Sequence, residues 1–260
     1  MPPPMTPDPS LKNALADAKR PLVGMWVSSG SALMAEICAG SGLDVVLVDG
    51  EHSPNGLEGI LAQLQAIHGY PITPVVRPPV NDPVIIKQYL DLGVQSLMVP
   101  MVHTVADAEA AVATAHYPPQ GVRGVGSALA RSSRWNRIPN YAERASETVT
   151  VMVQIESAHA VENVADILAV DGIDAIFLGP ADLAASMGRL GVQGHPEVMA
   201  AVEHCIAAAK AAGKPVGVNA FAPETAKHYM DAGVDLILVG ADVTLLARGS
   251  EGLAATYIPE

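Results

Sequence analysis

The sequence predicts a single (β/α)8 barrel over its 260 residues, and three observations predict it. Eight short apolar runs, centred near Val23, Val46, Val76, Leu97, Val151, Ile176, Val218 and Ile237, alternate with segments of helical periodicity, which is the arithmetic of this barrel. Five of the intervening helices end in a Gly or Pro turn just before a strand. No GxGxxG follows an early strand, which counts against the runner-up, a doubly wound open sheet. Half of the residues are apolar, enough for one large core.

In chain order, residues 1–10 (MPPPMTPDPS) read as a disordered Pro-rich leader, without the basic and apolar regions of a secretory signal. Leu11 to Lys19 is amphipathic, and PLVGMWVSS is the first strand. A helix over Ser31 to Ala39 leads to the buried strand in GLDVVLVDGEH. Leu57 to Ile67 has helical spacing, and TPVVRPP is a strand stopped by two prolines. A helix over Pro83 to Asp91, capped by Asn81 or Asp82, precedes the strand VQSLMVPM, and Thr104 to His116 is helical with Thr104 as its cap. Residues 117–148 form a long insertion that fits no ordinary connector, and such segments are usually functional or interfacial. The strands ending at Ile155 and near Pro180 enclose a helix over Val161 to Val170. Helices at Pro196 to Ala212 and Pro223 to Ala232, strands KPVGVNA and VDLILVGAD, and a helix over Val243 to Thr256 complete the chain.

The formal net charge of −12 excludes nucleic acid and anionic membranes as partners, since both demand a basic surface. The apolar runs are too short for a transmembrane helix, so a cytoplasmic protein is expected. Cys38 and Cys205 lie in Ala-rich helical segments without metal-ligand spacing and read as buried, reduced thiols. Arg123, Arg131, Arg134, Arg137 and Arg144 concentrate positive charge in the insertion, which suggests an anionic small molecule or an acidic neighbouring subunit.

Polar residues collect at the carboxyl ends of the strands, the active-site rim of this fold: Trp26, Asp49, Glu51, His52, Arg77, Gln154, Glu156, Asp182 and Asn219. Glu156 and Asp182 close neighbouring apolar strands, and two converging carboxylates repel unless a proton or cation lies between them. Helix capping is the bland alternative for both. So few carboxylates suit a hard, hydrated cation such as Mg²⁺ or Mn²⁺ (with Co²⁺ admissible) rather than zinc. His52, three residues after Asp49, reads as an acid/base group oriented by that aspartate, with metal ligation or a satisfied loop histidine as alternatives. Arg77 can clamp a carboxylate or a developing oxyanion, or pair with Asp49. The six lysines lie in helices or at the start of a strand, which disfavours imine chemistry.

The segments LVDGEHSPN, PVVRPPVNDPVIIKQYLDLGVQSLMVPMV, YPPQGVRGVGSALARSSRWNRIPNY, VQIES and GIDAIFLGPADLAASMG resemble the HpcH/HpaI family of class II pyruvate aldolases from about Pro21 to Arg248. The resemblance implies reversible cleavage of 4-hydroxy-2-oxo acids to pyruvate and an aldehyde, with a citramalyl- or malyl-CoA-type lyase or a sugar-acid aldolase as alternatives. It implies a homo-oligomer, a hexamer in relatives, with the C-terminal helix packed on a neighbour. By the same likeness Glu156 and Asp182 hold the metal, with Gln154 nearby. His52 with Asp49 is the acid/base pair, Arg77 stabilises the enolate, and Glu51 orients metal-bound water. The backbone of Gly179, Pro180 and Ala181 contacts the pyruvate carboxylate, Trp26 borders the pocket, and Arg123 helps bind an acidic aldehyde. Asn219 stands where relatives tend to have an aliphatic residue, on the acceptor side.

Overall fold

Alternate side chains along each strand enter two different cores, as the two-residue period of extended backbone requires. The computed structural model describes residues 5–259. Its parallel strands β1 (Leu22–Val27), β2 (Val45–Asp49), β3 (Thr73–Arg77), β4 (Ser96–Val99), β5 (Thr150–Ile155), β6 (Ala175–Leu178), β7 (Val216–Asn219) and β8 (Leu236–Ala241) pair in chain order, and β8 returns to β1 to close the barrel. Leu22, Val45, Leu47, Val75, Met98, Met152, Phe177, Leu236 and Leu238 fill its interior. Their neighbours Val46, Val48, Val76, Leu97, Val99, Val151, Val153 and Ile176 face outward and pack with the helices. Each such side chain taken from water contributes about 1.5–3 kcal/mol. Gly217 makes room for the Phe177 ring, which would lie 2.7 Å from a Cβ there.

Four helices follow the first four strands: α2 (Ala32–Ala39), α3 (Leu57–Ile67), α4 (Pro83–Asp91) and α5 (Val105–Ala115). Before them, α1 (Leu11–Asp17) closes the amino end of the barrel. Leu11 is fully buried in the interior cluster, and the amides of Leu11 and Lys12 donate to Ser96 Oγ (2.8 Å) and Thr150 Oγ1 (3.1 Å). These bonds satisfy first-turn amides that have no intrahelical acceptor. Of the expected leader, residues 1–4 lie outside the described residues. From Asp8 the chain is held to the barrel: Gln95 Nε2 donates to the Asp8 carbonyl at 2.7 Å, Arg134 pairs with its carboxylate at 2.9 Å, and Ser10 is buried.

The insertion contains a 3₁₀ turn at Arg131–Ser133 and α6 (Tyr141–Thr148). Because it follows a helix and precedes a strand, it lies at the amino end of the barrel. The helix expected over Val161 to Val170 is two shorter ones, α7 (Ala158–Glu162) and α8 (Val164–Ala169), which meet at Asn163. The Asn163 amide donates to the carbonyls of His103 (3.1 Å) and His159 (3.0 Å), and such competition with the backbone ladder favours a break. The remaining helices are α9 (Pro180–Ser186), α10 (Pro196–Ala211), α11 (Pro223–Ala232) and α12 (Asp242–Tyr257). Cys38 and Cys205 are buried free thiols, and burial pushes Cys205 up to about 12. Among the described residues no helix is long and apolar enough to cross a membrane.

Candidate active site

Carried two residues past the apolar interior, the inward parity of each strand reaches Trp26, Asp49, Arg77, Gln154, Gly179 and Asn219. The inside of the barrel therefore turns from apolar to polar at its carboxyl end, where this fold places chemistry.

Arg77 is the centre of one half of this layer. Its Nε and Nη2 donate to the two carboxylate oxygens of Asp49, both at 2.8 Å, and its Nη1 lies 2.8 Å from Glu51 Oε2. That last contact is an ion pair without hydrogen-bond alignment, so Glu51 Oε2 is buried with no donor. The Trp26 ring covers the guanidinium at 4.4 Å, and Arg77 and Asp49 are both buried. A two-point pair of this kind fixes orientation as well as charge. It also corrects the expected Asp49–His52 pair. Both Asp49 oxygens face inward with the strand and are taken by Arg77, whereas His52 lies on the loop beyond β2. The His52 side chain is 67 % exposed, with Nε2 3.9 Å from Glu51 Oε2.

Glu156 is the centre of the other half. It is buried, Oε1 accepts from the Met101 amide at 2.6 Å, and Oε2 accepts from Gln154 Nε2 at 2.5 Å. Burial pushes its carboxyl up to about 7; Glu51 and Asp182 add to the rise, while the Met101 amide and Arg77 oppose it. Glu51 is raised as well, by burial first, with Arg77 and His52 opposing and Asp49 and Asp182 adding. Met101 donates from left-handed backbone, φ 55°.

Neither carboxylate is a helix cap. Ser157 caps α7, accepting from the Ala160 amide at 3.1 Å, and Gly179 holds the cap position of α9, with Pro180 and Ala181 before Asp182 in its first turn. Asp182 is exposed on the rim while Pro180 is buried. The β5–β6 register pairs Ile155 with Leu178, so Glu156 lies beside Gly179. A Cβ on Gly179 would come within 2.9 Å of Gln154 Nε2 and 3.1 Å of Glu156 Cβ, so only glycine admits this approach.

The donor set fits a hard divalent cation. Glu156 and Asp182 bring carboxylates whose mutual repulsion already raises Glu156, and the buried Gln154 Oε1 has no hydrogen-bond partner. Among the described residues no three His, Cys, Asp or Glu side chains group to hold a metal; the donors that Glu156, Asp182 and Gln154 bring are all oxygens, the kind a hard divalent cation takes.

Trp26 Nε1 donates to Asn219 Oδ1 at 2.8 Å, which brings both expected pocket residues onto this rim. Arg123 is not there. It is fully buried at the amino end of the barrel, paired with Asp91 at 2.8 Å and stacked 4.5 Å from the Tyr117 ring, so it cannot meet a substrate at its own barrel mouth. Conversely, the expected rim omitted the fourth strand. His103, beyond β4, lies 2.9 Å from Ser157 Oγ, and with Met101 it supplies the β4 side of the mouth. The signal was a histidine three residues past a prolyl strand end. A cavity of about 410 Å³ among Ile67, Tyr70, Ile72, Val94 and Arg131 is remote from these carboxylates, so cavity size does not locate the site.

A closed parallel barrel with an arginine–aspartate pair, clustered carboxylates and an exposed histidine on its carboxyl rim defines a (β/α)8 enzyme. Residues 22–249 match the HpcH/HpaI aldolase/citrate lyase family, and the chain belongs to it. It is 53% identical over 250 residues to a 4-hydroxy-2-oxo-heptane-1,7-dioate aldolase of Salmonella heidelberg (strain SL476), covering 95% of each chain. A HpcH/Hpal aldolase/citrate lyase family protein from Burkholderia cenocepacia J2315 superposes with a TM-score of 0.90 at 40% identity, over 95% of this chain and 98% of that one. A HpcH/HpaI aldolase from Desulfitobacterium hafniense DCB-2 gives 0.87 at 27% identity, over 97% and 98%. Aldolases of this family generally depend on a divalent metal.

Proposed function

We propose that the chain is a metal-dependent aldolase that reversibly cleaves 4-hydroxy-2-oxo acids, such as 4-hydroxy-2-oxoheptane-1,7-dioate, to pyruvate and an aldehyde. The observation that carries the reading is Glu156: a buried carboxyl, pushed up to about 7, beside two further carboxylates and opposite Arg77. Glu156 and Asp182 would hold Mg²⁺ or Mn²⁺, with Gln154 as a neighbouring oxygen donor and Glu51 orienting water on that side of the site. When bound there, the cation supplies Lewis-acid polarisation of the substrate's keto oxygen.

The chain's own residues do the rest. The Gly179–Ala181 turn receives the substrate carboxylate on the Ala181 amide, a first-turn donor without an intrahelical acceptor, since the Gly179 amide is given to the Ile155 carbonyl at 3.2 Å and Pro180 has none. In cleavage, His52 removes the C4 hydroxyl proton, the C3–C4 bond breaks as the aldehyde forms, and the electron pair passes toward the keto oxygen. Arg77, fixed by Asp49 and Glu51, faces that negative charge. Protonation at C3 gives pyruvate, and the aldol direction runs the same steps backward with His52 returning its proton.

A homo-oligomer, a hexamer of 26.9 kDa chains, accompanies this reading. Its support is apolar exposure on α12 (Leu245, Leu246, Leu253, Tyr257) and on the insertion (Val122, Val125, Leu129, Trp135), more than a solvated surface usually carries. A cytoplasmic location follows from its central-metabolite substrates. The test is pyruvate release from 4-hydroxy-2-oxoheptane-1,7-dioate, followed through lactate dehydrogenase and NADH oxidation. Turnover that EDTA abolishes and Mg²⁺ or Mn²⁺ restores is expected. Turnover of malyl- or citramalyl-CoA and not of the hydroxy-oxo acid overturns the reading.

A further inference from the structure

We infer that Asn219 is a positioning residue for Arg77, acting through the Trp26 ring, so that β7, β1 and β3 are tied across the barrel mouth. The inference rests on the role proposed above for Arg77. Its guanidinium is held along its edges by Asp49 and Glu51, and edge contacts alone leave it free to tilt about that plane. The Trp26 ring, 4.4 Å away on one face, removes the tilt. Trp26 in turn meets Phe177 edge-on, at 6.2 Å between centroids and 84°, a contact that permits sliding. The one directional bond on the indole is Nε1–H to Asn219 Oδ1, at 2.8 Å. An indole nitrogen only donates, so the asparagine carbonyl must turn toward it. An aliphatic side chain at 219 could fill the volume but would leave that half-buried N–H unpaired. Asn219 therefore acts on every substrate alike, through Arg77, rather than by selecting the aldehyde.

The test removes the aldehyde altogether. Exchange of the pyruvate C3 protons in D₂O with Mg²⁺, followed by proton NMR, reads charge stabilisation on the three-carbon fragment without an acceptor. Asn219→Leu is expected to slow exchange about fivefold to tenfold, the scale of one lost hydrogen bond, with the pyruvate KM changed less than about twofold. Trp26→Phe, which keeps a ring and loses the N–H, is expected to do the same, and the double variant to be no slower than either single one. In a Trp135→Phe background Trp26 is the one remaining tryptophan. There its emission in metal-free protein shifts in Asn219→Leu and is retained in Asn219→Asp, which keeps the acceptor oxygen. Unchanged exchange in Asn219→Leu, single effects that multiply in the double variant, or an unmoved Trp26 emission overturns the relay while leaving the aldolase reading intact. Wild-type protein that does not exchange pyruvate protons overturns both.

Discussion

Glu156→Gln is expected to stabilise the metal-free protein at alkaline pH, although it removes a charged group from the site. The folded Glu156 carboxyl is pushed from an ordinary 4.5 up to about 7, chiefly by burial and then by Glu51 and Asp182. Because the folded state binds this proton more tightly than the unfolded chain, the stability it contributes is complete below about pH 4.5. It is lost as the pH rises through about 7. At 1.36 kcal/mol per tenfold difference in proton affinity the full loss is roughly 3 kcal/mol. A neutral amide avoids that loss, and its Nε2 can donate to Gln154 Oε1, which has no partner in the wild type. For a chain of this size roughly 3 kcal/mol corresponds to about 6–12 °C in Tm. Thermal melts in EDTA should show the variant above the wild type by that order at about pH 8.5, with the gap reduced to about a quarter at about pH 5. Added Mg²⁺ should raise the wild type and leave the variant unmoved. An equal gap at both pH values would refute the electrostatic reasoning.

Other consequences follow from single contacts. Gly179→Ala places a Cβ 2.9 Å from Gln154 Nε2, an overpacking that costs about 1–3 kcal/mol and is expected to weaken divalent-cation binding at least about tenfold by calorimetry. Met101→Gly relieves left-handed backbone while keeping the amide on Glu156. Strain of about 1–2 kcal/mol, less the entropy of a glycine, leaves a net gain of about 0.5–1 kcal/mol in urea unfolding. Arg123→Met breaks a buried pair with Asp91 and is expected to lower stability by roughly 2–3 kcal/mol with the KM for the aldehyde unchanged, which separates its packing role from substrate binding.

The barrel was legible in the sequence because six of its eight strands, all but β4 and β8, are written twice. In each of the six the apolar run marks the element, and the polar residue at its carboxyl end marks the direction. Val75–Arg77 and Leu47–Asp49 share one inward parity, so the strand that fills the core also aims the arginine and its aspartate. Sequence spacing could not choose a partner for Asp49. His52, three positions on, was the near neighbour in the chain, whereas Arg77, twenty-eight positions on, is opposite it in the β2–β3 register. The displacement of Arg123 from the mouth was decidable in principle, since a segment between a helix and the next strand belongs at the amino end. The break at Asn163 and the backbone of Met101 depend on hydrogen bonds to distant elements, which no local pattern encodes.

The proposal as a whole depends on a divalent cation held between Glu156 and Asp182. Electron paramagnetic resonance of Mn²⁺ titrated into metal-depleted protein measures this without turnover. One bound Mn²⁺ per chain is expected, displaced in signal by pyruvate and lost in both Glu156→Gln and Asp182→Asn. Binding of full strength in either variant, or a wild type that leaves Mn²⁺ free, would contradict it.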